Sequence, residues 1–325
     1  MSIQDEVYHA LREAGGQYLS GQALSAALHV SRNAIWKAVS ALRQEGMGIE
    51  ASTRLGYRLY ADPGRFSAAD IRAALRHKSL CPEIYETLPS TNTELKRRAA
   101  LDAPDGLLLA ARRQSAGRGR YGRAFFSPAD SGAYFSLLLR PGWPLSRLRR
   151  VTPAAALAAA QTLEALSGQE TQIKWVNDVY IGGHKVVGIL TELATGLESG
   201  TVESLVCGFG VNLYPPADGF PPELQETAGT VFTCKPAQDL RARIIAGICD
   251  RFLDALTIAE TELLAQYRQR SLLDGRKVWI MRGGRQLRAL ALGISDDFSL
   301  RIRRCDGAEE AVQAGEVHIR PVQPL

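Results

Sequence analysis

The spacing of apolar residues changes twice along this chain, and that change limits the possible folds more than any single motif does. Val7, Leu11 and Ala14 recur at helical intervals between Asp5 and Ala14. Between about Pro82 and Arg270 strand-like and helix-like stretches alternate, from "EIYETLPSTN" and the helical "TELKRRAAL" to a long helical region through Leu240, Ile244, Ile248 and Phe252. After "LLDGRK" only short strand-like runs remain, "KVWIM", "QLRALALGI", "SLRIRR" and "EVHIR", parted by Gly283-Gly284, Asp296-Asp297 and Asp306-Gly307 turns. Three textures predict three units: one helical, one central and mixed α/β, and a small terminal β-barrel. The expected fold class is α+β and multidomain.

The helical unit reads helix, turn, helix. A second helix carries Leu24 and Ala27 on one face, and a tight His29-Val30 corner leads to Ser31, a residue suited to cap a third helix. In that helix Ile35, Val39 and Leu42 point one way and leave Arg32, Asn33, Trp36, Lys37 and Arg43 largely to the other; Gly46 ends it. "GIEASTRLGYRLY" then alternates as a hairpin wing about Leu55-Gly56. Cations gather on the third helix and the wing, including Arg54, where phosphates and groove edges would lie. This favours DNA binding over a merely solvated face. Asp62-Pro63-Gly64 closes the unit, and "SAADIRAALRH" reads as a connecting helix.

Composition excludes several classes. The five cysteines are scattered without a C-x-x-C pair, and the five histidines form no H-E-x-x-H, so no metal ligands are assigned. The apolar stretch "TPAAALAAAQTLEAL" is interrupted by polar residues and too short for a bilayer, and the N-terminus has no secretory leader. A cytoplasmic protein without a membrane partner is expected. A formal charge of +5 is compatible with polyanionic partners.

"GRGRYGR", residues 117–123, has three glycines on dinucleotide-binding spacing, but "RAFFSPADSG" follows instead of the helix that a Rossmann loop requires. What remains is a loop with three guanidinium forks and a backbone able to fold close around anions. It suits a reaction that brings a carboxylate up to the α-phosphate of ATP, where repulsion amounts to ~4 kcal/mol per unit pair at ~4 Å and an effective dielectric near 20. It equally suits a surface loop that binds nucleic acid nonspecifically, or nothing. Three strand ends add polar or small groups: "KWVND" (174–178), "GHKVVGIL" with Lys185 and Gly188, and "GFGVN" with Gly208, Gly210 and Asn212. Each has a bland reading as a turn or a relief of crowding. Together they would converge on one pocket beside the arginine loop.

Taken in order, the winged helix-turn-helix, "STN", "QSAGRGRYGR", "KWVND", "GHKVVGIL", "GFGVN" and the terminal "AGEVHIR" resemble the biotin protein ligases over the whole chain, and among them the bacterial bifunctional biotin ligase and biotin-operon repressors. The resemblance implies a winged helix-turn-helix domain over residues 1–64, a linker helix over 65–81, a biotin- and ATP-binding ligase domain over 82–274 and an SH3-like β-barrel over 275–325. It implies that Ser90, Thr91, Asn92 and Gln114 address the ureido end of biotin, with Gly117, Gly119, Gly188 and Gly208 beside its rings. Arg118 and Arg120 would hold its carboxylate and the α-phosphate, with Lys185 next to that carboxylate. Lys174, Asn177 and Asn212 would face the triphosphate and its Mg2+, Phe125 would stack on adenine, and Arg320 would reach the nucleotide. Biotin and ATP would give biotinyl-5′-AMP, and a lysine of the biotin carboxyl carrier protein of acetyl-CoA carboxylase would take the biotin, with Asp178 orienting or deprotonating it. The adenylate would also act as corepressor: it would favour a homodimer on a palindromic operator read by Ser31, Arg32, Asn33, Trp36 and Lys37, with Arg54 near phosphate.

The chain departs from the family pattern at Val176 for proline, Phe125 for tryptophan, and Ala314 with His318 in the terminal motif. Valine removes no ligand group and phenylalanine can still stack. The rival readings are a ligase without repression, a lipoate-type ligase and a non-catalytic metabolite-sensing repressor.

Overall fold

The structure, a computed structural model, describes residues 2–44, 47–59, 66–195, 201–236, 239–282, 285–313 and 315–318. Gly46, Asp62, Pro63, Gly64, the Gly283-Gly284 turn, Ala314 and Arg320 therefore lie outside the described residues.

The N-terminal unit holds α1 (Ile3–Glu13), α2 (Gly21–Ala27), α3 (Arg32–Gln44) and an antiparallel hairpin of β1 (Ile49–Ser52) and β2 (Gly56–Leu59). Its helices begin on hydroxyl caps: Ser2 accepts from Asp5 N–H, Ser20 from Ala23 N–H, and Ser31 from Ala34 N–H at 3.1 Å. His29 makes the corner before α3 with φ of +54°. Val7, Leu11, Leu24, Ile35, Val39, Leu42 and Ile49 form this unit's core, the faces expected from their spacing, except that Ala14 is only half-buried and Ala27 is exposed.

The connecting helix α4 (Ala68–Ala74) belongs to two cores at once. Ala69 packs into the N-terminal core, while Phe66, Ile71 and Leu75 are buried in the central one.

The central unit is a seven-stranded sheet in the order β3 (Cys81–Leu88), β4 (Leu107–Gln114), β5 (Gly132–Leu139), β9 (Val202–Asn212), β8 (His184–Thr195), β7 (Asp178–Ile181), β6 (Gln172–Lys174). The β3-β4 pair is parallel and the other pairs are antiparallel. α5 (Thr91–Ala99) leads from β3 towards β4 and packs against β5 and β9. α6 (Val151–Ser167), α7 (Arg241–Ala255) and α8 (Glu260–Arg268) carry the rest of the core. The alanine-rich α6 is buried over most of its circumference, because small side chains let α7 and the sheet approach it from two sides. "ETQIKWVNDVYI", which reads as one strand, is two: the backbone reverses at Trp175–Asn177 so that Lys174 pairs with Asp178. Alternation continues on both sides of that turn and hides it.

The C-terminal unit is an antiparallel sheet ordered β13 (Glu309–Val312), β12 (Leu300–Arg304), β11 (Arg285–Ile294), β10 (Lys277–Arg282), β14 (Glu316–His318). The short, half-charged β13 escaped the sequence reading. Trp175 Nε1 donates to Phe298 O at 2.8 Å and ties this unit to the β6-β7 turn, so the indole of "KWVND" serves the domain junction.

Candidate active site

Two cavities adjoin on the face where β9 and β8 meet the arginine-glycine loop. The first is lined by Ser90, Thr91, Asn92, Gln114, Arg118, Gly119, Arg120, Phe125, Asn177, Lys185, Gly188, Ile189, Leu190, Gly208, Phe209 and Gly210. The second continues past Phe125 to Tyr121, Phe126, Lys174, Trp175, Asp178, Tyr180, Asn212, Phe220, Val317 and His318. Gly119, Arg120, Phe125, Asn177 and Lys185 line both and mark their junction.

"STN" sits where β3 gives way to α5. Ser90 is the N-cap and accepts from Thr93 N–H, which leaves its proton for an acceptor in the cavity. Gln114 Oε1 accepts from Thr91 N–H at 2.8 Å, and Gln114 Nε2 donates to Ser127 Oγ at 2.9 Å. Asn92 is committed to the protein: its amide donates to Leu190 O at 3.0 Å and Glu192 Oε2 at 3.1 Å, and its carbonyl accepts from Ser136 Oγ at 2.6 Å. A Cβ on Gly208 would stand 1.8 Å from Asn92 Oδ1, so that glycine makes room for Asn92. Gly210 likewise makes room for the Phe125 ring, 2.4 Å from an ideal Cβ.

The loop is closed by its own backbone. Phe125 N–H donates to Gly117 O at 2.8 Å and Gly119 N–H to Arg123 O at 2.7 Å, with Tyr121 and Gly122 at positive φ to turn the tip. No helix follows, consistent with setting aside the dinucleotide fingerprint. Arg120 Nη1 donates to Asn177 Oδ1 at 3.1 Å, and Asn177 is itself anchored to Ile189 O at 2.9 Å. The "KWVND" turn thus holds the loop's second arginine. Arg118 Nη1 lies 3.5 Å from Thr93 Oγ1 and 3.6 Å from Glu192 Oε1.

Lys185 Nζ lies 2.7 Å from Asp178 Oδ1, both side chains being mostly buried. Burial, and then the Asp178 charge, push the Tyr180 and Tyr267 phenols well above their usual range. Both phenols therefore stay protonated at neutral pH.

The fold brings most of the residues singled out in the sequence to these cavities. Gly117 stands just behind the lining, where a Cβ would meet Phe125 O at 2.3 Å. Arg320 lies outside the described residues. Ser127, Ser136, Lys96 and Glu192 were missed. The signal for Ser136 was a serine in the otherwise apolar and aromatic run "GAYFSLLL", whose buried hydroxyl needs a partner. Outside both cavity linings, Arg32, Asn33, Trp36 and Lys37 are exposed on α3 and Arg54 on the wing tip; Trp36 keeps 57% of its surface in solvent. Among the described residues no group of three or more His, Cys, Asp or Glu could hold a metal ion, and no helix is long and apolar enough to cross a membrane.

Comparison with known proteins bears on both halves. The model of the biotin/lipoate A/B protein ligase family matches residues 84–212, and an HTH domain model matches residues 4–58. The bifunctional ligase/repressor BirA of Bacillus spizizenii is 34% identical over 319 residues, which cover 96% of this chain and 98% of that protein. The chain belongs to the bifunctional ligase/repressor family. Another member, BirA of Escherichia coli, is 29% identical over 95% of each chain. The biotin protein ligase of Aquifex aeolicus, solved in complex with biotin and ATP, is 26% identical with a TM-score of 0.62; the match covers 99% of that chain and 74% of this one. The ligase/repressors therefore match nearly the whole of this chain, whereas that ligase leaves about a quarter without a counterpart.

Proposed function

We propose that the protein is an ATP-dependent biotin protein ligase that forms biotinyl-5′-AMP and passes the biotin to a lysine of the biotin carboxyl carrier protein, and that it is also a DNA-binding repressor responsive to the adenylate. One observation carries the ligase reading: Arg118, Arg120 and Lys185 line a single cavity with Ser90, Thr91 and Gln114.

In this reading biotin lies in the first cavity with its ureido group at Ser90, Thr91 and Gln114, Gly117 and Gly119 beside its rings, and its carboxylate towards Arg118 and Lys185. ATP fills the second cavity, with Phe125 against the base and Lys174, Asn177 and Asn212 towards the phosphates; Mg2+ travels with the triphosphate, since hard cations that keep their water need few protein ligands. Arg120 spans the junction where carboxylate and α-phosphate meet. The carboxylate oxygen attacks the α-phosphorus and pyrophosphate leaves. Lys185 must turn from Asp178 to the anions as they arrive, and Asp178 is then available to take a proton from the acceptor lysine. No protein side chain becomes acylated, so the rate comes from positioning and charge stabilisation.

The same reading divides the chain into a DNA-binding domain over residues 1–64, a connector over 65–81, a ligase domain over 82–274 and an SH3-like barrel over 275–325. The bound adenylate favours a homodimer whose paired α3 helices, with Ser31 to Lys37 foremost, read a two-fold operator. The protein works in the cytoplasm.

Pyrophosphate release on mixing protein, biotin and ATP, followed by transfer of labelled biotin to a carrier domain, tests the ligase. Its absence, or equal use of lipoate, would overturn it. Adenylate-dependent retention of a palindromic DNA tests the repressor.

A further inference from the structure

Glu192 of β8 belongs to none of the motifs that mark the site, yet three of the site's neighbours converge on its carboxylate. Oε2 accepts from Asn92 Nδ2 at 3.1 Å; Oε1 takes Lys96 Nζ at 2.8 Å and has Arg118 Nη1 at 3.6 Å. The Glu192 side chain is only 17% exposed, while Lys96 and Arg118 are each nearly half exposed. We infer that Glu192 is a positioning residue for adenylate formation: it aims Arg118 into the biotin cavity, and Lys96 neutralises it so that Arg118 keeps its charge for the substrate's anions. This rests on the biotin ligase reading of the site.

The distances decide the division of labour. Coulomb attraction and hydrogen bonding both favour the nearer cation, so the carboxylate is paired with Lys96, and Arg118 is held more loosely beside it. The three groups sum to one positive charge, which faces the cavity. Without an acid, the long guanidinium stem would spread over its rotamers and have to be ordered by the substrate itself. With an acid and no lysine, Glu192 would claim Arg118 and discharge it just where two anions must be brought together. Thr93 completes the arrangement, because its hydroxyl lies 3.5 Å from the same Arg118 nitrogen. Burial opposes ionisation of Glu192, but hydrogen bonds from Lys96 and Asn92 and the charges of Lys96 and Arg118 outweigh it and hold the acid below its usual range.

A double-mutant cycle on the full chain tests this, with pyrophosphate release followed as biotin is varied at saturating ATP and magnesium. Glu192→Gln keeps an acceptor for Asn92 and removes only the charge. It raises KM for biotin roughly three- to fivefold, as loss of one half-exposed ion pair does, and leaves kcat within about twofold. Lys96→Ala raises KM further than Glu192→Gln does, and Lys96→Arg restores it. The double variant Lys96→Ala/Glu192→Gln falls back to within about twofold of Glu192→Gln alone, since a lysine with no acid to neutralise has nothing to do. A Lys96→Ala protein with wild-type KM, or additive effects in the cycle, overturns the inference. If Glu192→Gln does not fold, Lys96→Ala against Lys96→Arg decides the matter. Wild-type protein that releases no pyrophosphate with biotin instead sinks the ligase reading beneath it.

Discussion

Arg72 of α4 places its guanidinium 2.5 Å from the carboxylate of Asp5 on α1, and Arg12 of α1 returns the contact by donating to Asp70 of α4 at 2.8 Å. Each aspartate is also the third residue of its own helix's capping box, with Ser2 and Ser67 as partners, and Tyr8 donates to Asp70 as well. The start of each helix is therefore tied by charge to the last turn of the other. Phe66, immediately before the second box, has the Arg112 and Arg241 guanidinium groups over its ring at 5.3 and 4.7 Å from the centroid. The DNA-reading unit is mounted on the catalytic body by a packed junction.

Asp5→Asn should therefore loosen the mounting and leave the ligase site alone. These pairs are partly exposed, so the expected loss is at most ~1 kcal/mol of stability, read by denaturant unfolding, with biotin transfer unchanged. The sign with pH follows from Asp5. Burial raises its pKa, but the Ser2 and Arg72 hydrogen bonds and the Arg72 charge win, and the folded carboxyl titrates below its unfolded value. Its stabilisation is present above the unfolded pKa of about 3.9 and is lost as pH falls through the folded one. The difference between wild type and Asp5→Asn should thus narrow with acidification below about pH 4; a constant difference would show that the charge contributes nothing.

Lys185→Ala and Arg120→Ala should each lower kcat/KM for pyrophosphate release by ~10²-fold or more, because each removes a cation from beside the developing negative charge. Thermal unfolding should hardly change in Arg120→Ala, whose side chain faces the cavities, whereas Lys185→Ala should lower the unfolding temperature because it leaves the mostly buried Asp178 without its ion-pair partner. Full turnover in either variant would refute their role.

Gly208→Ala should be costly out of proportion to its one added carbon. The new methyl would stand 1.8 Å from Asn92 Oδ1, and Asn92 is fixed by Leu190, Glu192 and Ser136. Overpacking of this kind costs ~1–3 kcal/mol, and displacement of Asn92 should raise KM for biotin as well. Wild-type stability and kinetics would mean that Asn92 moves aside freely.

Arg54→Ala and Lys37→Ala should weaken operator binding and leave biotin transfer intact. If Arg54 meets a phosphate, its loss reduces the slope of log affinity against log salt by ~1, whatever the sequence of the DNA. A loss confined to one DNA sequence would assign Arg54 to a base edge instead.

How much of this was legible beforehand depends on the range of the interactions involved. The capped helices of the N-terminal unit, the alternation in the centre and the β texture at the end follow from local periodicity and capping, and the ordered motifs carried the family. Local pattern could not show that the backbone reverses at Trp175–Asn177, that Trp175 seals a domain junction, or that Gly208 serves Asn92 across 116 positions of chain. Nor could it single out Glu192 or Lys96, which read as ordinary surface charges until β8 and α5 come together. What the chain determines alone is which residues carry donors, forks and small surfaces. Which of these meet is decided by strand order and helix packing, since distances of 3 Å between residues a hundred positions apart exist only once the sheet has closed.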